Sequence, residues 1–149
     1  MACAVQAVMA HTDLQLQIAA ITRQIEASPD AADLYLKRGD LHRRHQDWDA
    51  AAADFASVRR LASGLSETDW FEGRMRVDAG QFEAGERLLS RFLEANPGHT
   101  GALQARARSH WGQRAPGAAA HDYQQAIDRS ESPAPALYRA LVVTQVAMG

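Results

Sequence analysis

The sequence repeats itself with a period of 34 residues, and this period restricts the fold more than any other feature of the chain. Gly39 recurs as Gly73 and then as another small residue, Ala107, and the same step reaches Leu141. A further small residue follows twelve positions after each of the first three, namely Ala51, Gly85 and Ala119. A fixed period of this kind is typical of arrays in which each repeat buries its apolar face only against its neighbours. The period therefore predicts one repetitive domain over residues 1–149.

The composition indicates that the repeated unit is helical. Alanine, leucine, arginine, glutamate and glutamine, which favour helices, are abundant, whereas runs of isoleucine, valine and threonine are rare. The formal net charge of −2 provides no field that would attract nucleic acid or anionic lipid. No apolar stretch reaches the ~20 residues of a membrane-spanning helix. We therefore expect neither nucleic acid nor a membrane as a partner.

Apolar spacing and helix-breaking residues together predict about eight helices. The first helix starts after a cap at Thr12 or Asp13, follows a disordered segment at residues 1–11, and ends before Pro29. Pro116 is expected in the first turn of a later helix. The remaining breaks fall at Gln46-Asp47, Gly64, Gly80, Asn96-Pro97-Gly98 and Ser132-Pro133. Because the connections have only ~2–5 residues, successive helices should pack as antiparallel neighbours.

The residues around each small position resemble the tetratricopeptide repeat, in which a helix A, a turn and a helix B occupy 34 residues. The first repeat matches at Tyr35, Arg38-Gly39, His42, Asp47-Trp48, Ala51, Phe55 and Val58. The second matches at Gly73, Gly80-Gln81-Phe82, Gly85, Leu89, Phe92 and Pro97, but it begins with Asp69 in place of a large apolar residue. The third matches at Leu103, Arg106-Ala107, His110, Ala119, Tyr123 and Ala126, and its closing Pro133 comes two residues late.

The resemblance implies an all-α fold, a right-handed α-solenoid of antiparallel helix hairpins. Gly or Ala of helix A faces Ala or Gly of helix B, so that the two backbones approach closely. Residues 12–29 resemble a lone helix B, and residues 134–149 resemble a lone helix A. The three full repeats then cover residues 32–65, 66–99 and 100–133.

The resemblance also implies a binding groove, because helix A lines the concave face of such arrays and partner peptides lie there. Aromatic side chains interleaved with arginines, as at these positions, dominate many binding hot spots. Arg74 and Arg108 share one register and are expected to hold a carboxylate of the partner. The lysine of the chaperone-binding branch is replaced by Leu36, so that type of clamp is not expected. The predicted groove residues are Leu36, Asp40, Arg43, Trp70, Phe71, Arg74, Gln104, Arg108, Trp111, Tyr138 and Arg139.

No residue pattern in the sequence supports catalysis, a cofactor or a metal. No Ser-His-Asp or Cys-His arrangement and no glycine-rich phosphate loop is recognisable. His42 and His45, three residues apart and close to Asp47, are an alternative metal site, but packing of His42 and solvation of His45 are favoured. The acidic residues are spread along outer helix faces, where we expect them to be solvated.

The sequence therefore predicts a non-enzymatic protein-interaction module that binds a peptide or protein partner, with acidic or carboxylate groups facing the arginines. The alternative is a structural module that assembles through its apolar ends, or a fragment of a longer array. Residues 141–148 are apolar on more than one side, which favours a homo-oligomer through the last helix. The single cysteine, Cys3, fits a reducing compartment, so we expect a cytoplasmic protein, with export as the less favoured alternative.

Overall fold

The computed structural model describes residues 2–149, and side chains from Asp13 onward. Within these residues the chain forms helices and no strand, so the predicted all-α class is confirmed. The elements are α1 (Ala2–Ala27), α2 (Ala32–Arg44), α3 (Trp48–Leu61), α4 (Glu67–Asp78), α5 (Phe82–Ala95), α6 (Thr100–Gly112), α7 (Pro116–Asp128) and α8 (Pro135–Val146). Their number agrees with the eight helices that the breaks in the sequence predict.

Helix α1 begins at Ala2, ten residues before the expected cap at Thr12. The expectation of disorder in residues 1–11 therefore differs from the structure at residues 2–11, and Met1 lies outside the described residues. The segment contains no glycine or proline and is rich in alanine, which favours the helical backbone. A good capping residue such as Thr12 can thus lie inside a helix when the residues before it are themselves helix formers.

The turn within each hairpin uses one left-handed residue, and these residues are again 34 positions apart. Their φ angles are 64° at Gln46, 76° at Gly80 and 60° at Arg114. The N–H of each bonds to the carbonyl three residues earlier, and the next N–H bonds five residues back. This is the Schellman arrangement, which satisfies the last carbonyls of a helix. Glycine adopts it without strain, whereas glutamine and arginine adopt it at a conformational cost.

The helix starts are also fixed locally, in part as predicted. The carboxylate of Asp47 accepts a hydrogen bond from the N–H of Ala50 at 3.3 Å, which caps α3. Pro116 occupies the first turn of α7, as expected. Gly64, with a φ of 96°, follows the end of α3.

The chain divides into two compact units, Met1–Phe71 and Glu72–Gly149, and the boundary falls within α4. In the first unit α2 packs against both α1 and α3. A Cβ atom added at Gly39 would lie 2.7 Å from Cε1 of Phe55, so the glycine permits the predicted close approach of α2 and α3. The buried apolar side chains of this unit are Ile25, Leu41, Ala51, Phe55 and Val58.

In the second unit each helix from α5 to α8 packs against the next one along the chain. A Cβ atom at Gly73 would lie 2.8 Å from Cγ of Leu89, and one at Gly85 would lie 2.6 Å from Cγ2 of Val77. These glycines, like the fully buried Ala107, are packing residues, as the 34-residue period predicts. The largest buried apolar side chains here are Met75, Val77, Leu89, Phe92, Leu93, Leu103, Tyr123, Ile127, Leu137 and Leu141.

None of the helices, within the part of the chain searched, is both long enough and apolar enough to cross a lipid bilayer.

Candidate functional site

Three predicted groove residues of the first unit, Leu36, Asp40 and Phe71, line one cavity of about 440 Å³. We call it the α2 cavity, and the described residues that line it are Gln17, Ile21, Asp33, Leu36, Lys37, Asp40, Leu41 and Phe71. The walls are mainly apolar, because the aliphatic and aromatic side chains form them while the charged groups lie on α2.

The charged groups on α2 are paired with one another. Nζ of Lys37 lies 3.0 Å from Oδ2 of Asp33, and this hydrogen bond lowers the pKa of the Asp33 carboxyl. Nε of Arg43 donates to Oδ1 of Asp40 at 2.8 Å. Arg43, expected to contact a partner, thus already holds a carboxylate of its own helix.

Trp70 and Phe71 lie side by side on α4, with ring centroids 6.5 Å apart and planes inclined by 53°. Both side chains are half-buried. Trp70 is therefore neither a fully buried core residue nor a free anchor.

Trp111 is the most exposed aromatic residue of the predicted set after Tyr138, with 43% of its surface accessible. Its indole forms a wall of two cavities. One, of about 260 Å³, is lined by Trp111, Arg114, Pro116 and Ala147. The other, of about 200 Å³, is lined by Trp111, Tyr123, Arg139, Ala140, Val143 and Thr144. We call this surface, formed by α6, α7 and α8, the Trp111 face.

The electrostatics of the Trp111 face are cationic. Among the described residues, the lining of the two cavities includes Arg114 and Arg139 and no carboxylate. Neither arginine forms a hydrogen bond or an ion pair with the side chains that the structure describes. Burial raises the pKa of the Tyr123 hydroxyl, while the positive charge of Arg108 acts in the opposite direction. Tyr123 is consequently neutral and contributes a hydroxyl rather than a negative charge.

The expected Arg74–Arg108 pair has intramolecular partners. Nη2 of Arg108 lies 2.8 Å from Oδ1 of Asp78, although 55% of the Arg108 side chain is accessible. Arg74 is half-buried and also interacts within the chain. Of the other two predicted residues, Gln104 is half-buried and Tyr138 is 48% accessible.

The structure contains a buried polar cluster that the sequence analysis missed. Nε and Nη2 of Arg38 donate to the two carboxylate oxygens of Asp54 at 2.9 and 2.7 Å, and Nη1 donates to the Thr22 hydroxyl at 3.1 Å. His42 adjoins them, with Nε2 4.0 Å from Oδ2 of Asp54. We call such a hydroxyl–Arg–Asp–His set a polar clip, since it joins three successive helices.

A second polar clip repeats the first with every residue shifted by 68 positions. Nε and Nη2 of Arg106 donate to Asp122 at 2.7 and 2.8 Å, and Nη1 donates to the Ser90 hydroxyl at 3.2 Å. Nε2 of His110 lies 3.6 Å from the same carboxylate. The recurrence of Arg, His and Asp at twice the repeat length is the sequence signal that could have revealed both clips.

The clips correct one expectation of the sequence analysis. Asp54 and Asp122 are only 3% and 1% accessible, so these two carboxylates are not solvated as predicted. A buried carboxylate persists here because a guanidinium group binds both of its oxygens.

Burial lowers the pKa of His42, although Asp54 and Asp47 act in the opposite direction. Among the described residues, no group of three potential ligands is arranged to hold a metal.

The middle repeat carries a different polar pair. Nη2 of Arg76 lies 2.9 Å from Oε1 of Glu72 on the same helix, and Nη1 of Arg76 donates to Gln81. Leu88 stands where the clips have their aspartate.

Comparison with known proteins places the chain in a family. Residues 7–66 and 72–135 match the family model described as tetratricopeptide repeat. The chain belongs to the tetratricopeptide repeat family, and the resemblance expected from the spacing is confirmed. Proteins of this family are protein-interaction scaffolds, which supports the predicted function at that level. No curated protein matches the sequence.

Several solved structures share the fold. The fragment of MamA from Desulfovibrio magneticus RS-1 that starts at its residue 41 is 13% identical, with a TM-score of 0.81 over 96% of this chain and 80% of that one. Another crystal structure of MamA is 16% identical, with a TM-score of 0.77 over 93% and 80%. PilW, described as a type IV pilus biogenesis factor, is 16% identical with a TM-score of 0.53 over 97% and 82%. At such low identities the likeness establishes the fold alone.

Proposed function

We propose that the chain is a non-enzymatic interaction module that binds an acidic peptide segment on its Trp111 face. The observation that carries the proposal is the exposed indole of Trp111, which separates two cavities that each contain an arginine with no partner among the described side chains. Tryptophan and arginine are the residue types most enriched in binding hot spots.

The size of the cavities favours peptide side chains over a small-molecule ligand. Pockets for small molecules usually measure about 300–1,000 Å³, whereas the two cavities measure about 260 and 200 Å³. Each is suited to one side chain of an extended peptide. In this arrangement an apolar residue of the peptide packs on the Trp111 indole, and carboxylates on either side reach Arg114 and Arg139.

The remaining predicted residues have supporting roles in the proposal. Arg108 contributes a carboxylate contact only by exchanging Asp78 for the partner, because its guanidinium already donates to that aspartate. Arg74 and Gln104 are half-buried, and in this proposal they contact the peptide only at its periphery. The α2 cavity is lined by Leu36, Asp40 and Phe71 and carries carboxylates, so it is a poor acceptor for an acidic segment.

The proposal is tested by selecting binders from a displayed library of random peptides. We expect the selected peptides to be enriched in aspartate and glutamate next to an apolar residue. Their affinity, measured by titration calorimetry, should fall about tenfold or more in Arg139→Ala and in Trp111→Ala, since a hydrogen bond to a charged group contributes about 1.5–3 kcal/mol. The matched control is Arg87→Ala, which removes an exposed arginine of α5. Unchanged affinity in both site variants would exclude the Trp111 face.

A second candidate function is self-association through α8, because this helix presents exposed apolar side chains. Val142, Val143 and Val146 of α8 are 55, 53 and 74% accessible, and Met148, two residues after the helix, is 52% accessible. Clustered apolar surface of this kind marks interaction sites more often than isolated exposed residues do. Measurement of mass against protein concentration tests the candidate, and a mass that stays monomeric at all concentrations refutes it.

A cytoplasmic location remains part of the proposal, as expected from the use of cysteine in the sequence. Fractionation of cells of the native organism tests it.

A further inference from the structure

The exposed apolar residues of α8 form a stripe along one side of the helix. Tyr138, Val142 and Val146 are four residues apart and are 48, 55 and 74% accessible. Residues with this spacing lie one above the other on a helix. Arg139 and Val143, which line the Trp111 face, follow the stripe by one residue and project about 100° away from it. The stripe is therefore a second surface of the same helix.

The first unit has an apolar surface of matching kind in the α2 cavity. Its volume of about 440 Å³ exceeds that of either cavity on the Trp111 face. Ile21, Leu36, Leu41 and Phe71 give it apolar walls along α1, α2 and the start of α4. A groove between helices that is open to solvent and apolar inside fits the apolar side of another amphipathic helix.

The charges of the two surfaces are complementary. The first unit contains ten acidic and seven basic residues, whereas the second contains eight acidic and nine basic residues. The rim of the α2 cavity carries Asp33 and Asp40, which pair with Lys37 and Arg43 of the same helix, and the Asp33 side chain remains 65% accessible to a further cation. Helix α8 contains Arg139 and no acidic residue. Opposite charges at two apolar surfaces favour their encounter and fix the orientation of docking.

We propose that α8 of one copy docks into the α2 cavity of a second copy of this chain. The inference rests on the self-association candidate above and names its acceptor. Val142 and Val146 pack against Ile21, Leu36 and Phe71 of the second copy, and Arg139 approaches Asp33. Donor and acceptor are different surfaces, so a pair of copies joined by one contact retains one free donor and one free acceptor. Such a heterologous contact forms open chains unless the rotation between copies closes a ring.

Two variants that each disable one surface test the proposal by complementation. Val142→Glu places a charge on the α8 stripe, and Leu36→Glu places one in the α2 cavity. Light scattering and sedimentation should show the wild type growing beyond a dimer with concentration, and each variant alone should associate at least tenfold more weakly. Mixing the two variants should give a stable one-to-one complex, because each supplies the surface that the other lacks. Circular dichroism checks that both variants are folded.

A charge exchange provides a second test that does not disturb the apolar walls. Asp33→Arg should weaken association, and adding Arg139→Asp on the other copy should restore it. Asp33 is well exposed and its pairing with Lys37 is a surface ion pair, so this variant should fold normally. Leu16→Glu is the matched control, since Leu16 is an exposed apolar residue of α1 that does not line the cavity.

The outcomes separate the inference from the candidate on which it rests. A strictly monomeric wild type refutes both. If Leu36→Glu associates like the wild type while Val142→Glu does not, α8 mediates self-association but the α2 cavity is not its acceptor. A mixture of the two variants that remains monomeric overturns the inference. A dimer that only α8 variants disrupt indicates symmetrical packing of two α8 helices and also overturns it. Loss of association in Leu16→Glu indicates end-to-end stacking on α1 and also overturns it.

Discussion

Replacement of Asp122 by asparagine tests whether the second polar clip stabilises α5, α6 and α7 as one packed group. The change keeps the shape of the side chain but removes the charge from a group that is 1% accessible. Arg106 then loses its carboxylate partner and faces an amide that accepts through only one oxygen. We expect the second unit to lose stability because a buried guanidinium is left without a compensating negative charge.

The magnitude follows from the geometry of the pair. Arg106 donates two hydrogen bonds to Asp122, at 2.7 and 2.8 Å. Breaking a buried ion pair by removing one partner costs about 3–5 kcal/mol. Because 21% of the Arg106 side chain remains accessible, water replaces part of the lost interaction and favours the lower end of that range. We therefore expect Asp122→Asn to lower the free energy of unfolding by about 3 kcal/mol, which corresponds to about 6–12 °C in Tm for a chain of this size.

The assay is urea-induced and thermal unfolding followed by circular dichroism. The control is Asp128→Asn, because Asp128 is exposed and accepts a hydrogen bond only from Gln124. This control should change stability by no more than about 0.5 kcal/mol. Asp54→Asn repeats the experiment in the first clip and should give a similar loss. Losses below about 1 kcal/mol in both clip variants would show that the pairs contribute no more than surface ion pairs do.

A double variant separates the cost of an unpaired charge from the net contribution of the pair. Leu88 occupies the position of Asp122 in the middle repeat, so leucine is compatible with this site in the fold. Replacing both Arg106 and Asp122 by leucine should recover most of the stability lost in Asp122→Leu, because apolar pairs often substitute for buried ion pairs without loss. A double-mutant cycle should then give a coupling free energy above about 2 kcal/mol.

Three further predictions concern single positions. Burial lowers the pKa of His42, so the unfolded chain binds a proton at this residue more readily than the folded chain does. The free energy of unfolding should therefore fall as the pH drops below about 6.5, the ordinary histidine value. Unfolding measured at two pH values should show a smaller fall in His42→Gln. Gln46 has a φ of 64°, and the equivalent residue of the next turn is Gly80. Gln46→Gly should therefore raise the free energy of unfolding by about 1 kcal/mol. An unchanged free energy in denaturation experiments would contradict backbone strain at Gln46. A Cβ atom at Gly39 would lie 2.7 Å from Cε1 of Phe55. Overpacking in Gly39→Ala should therefore lower the free energy of unfolding by about 1–3 kcal/mol and lower Tm. Combining it with Phe55→Leu, which has a smaller side chain, should partly reverse this loss.

The fold was predictable because its determinants are small residues and breaks, which are visible one at a time in the sequence. Gly39, Gly73 and Ala107 mark close helix contacts, and their period alone identifies the hairpin array. The left-handed turn at Gly80 was also visible as a glycine. The equivalent turns at Gln46 and Arg114 required the structure, since neither residue by itself indicates a positive φ.

The candidate site was predictable only in part, because pairing depends on neighbours from other helices. Register placed Trp111 and Arg139 on helix-A positions, and the structure brings both to one cavity. The same register could not show that Asp78 holds Arg108, since the two residues are 30 positions apart and on different helices. The assumption that acidic residues are solvated failed at Asp54 because burial of a charge becomes tolerable only when its partner is known.

The two polar clips flank a middle repeat that has Leu88 in place of the aspartate, and this difference affects how similar hairpins select their correct neighbours. Repeats of one family have similar apolar faces. A helix A that packs against the helix B of the preceding repeat, instead of its own, therefore loses little apolar burial, and this shifted pairing is the main competitor of the correct fold. Such a shift would place Arg106 against Leu88 instead of Asp122 and leave its guanidinium buried without a carboxylate. It would also leave Asp122, at 1% accessibility in the correct fold, to face a residue other than arginine. Each buried charge left without its partner costs several kcal/mol. The correctly formed Arg106–Asp122 pair, by contrast, need contribute little net stability. The clips therefore favour the correct pairing of helices mainly by destabilising the shifted pairing.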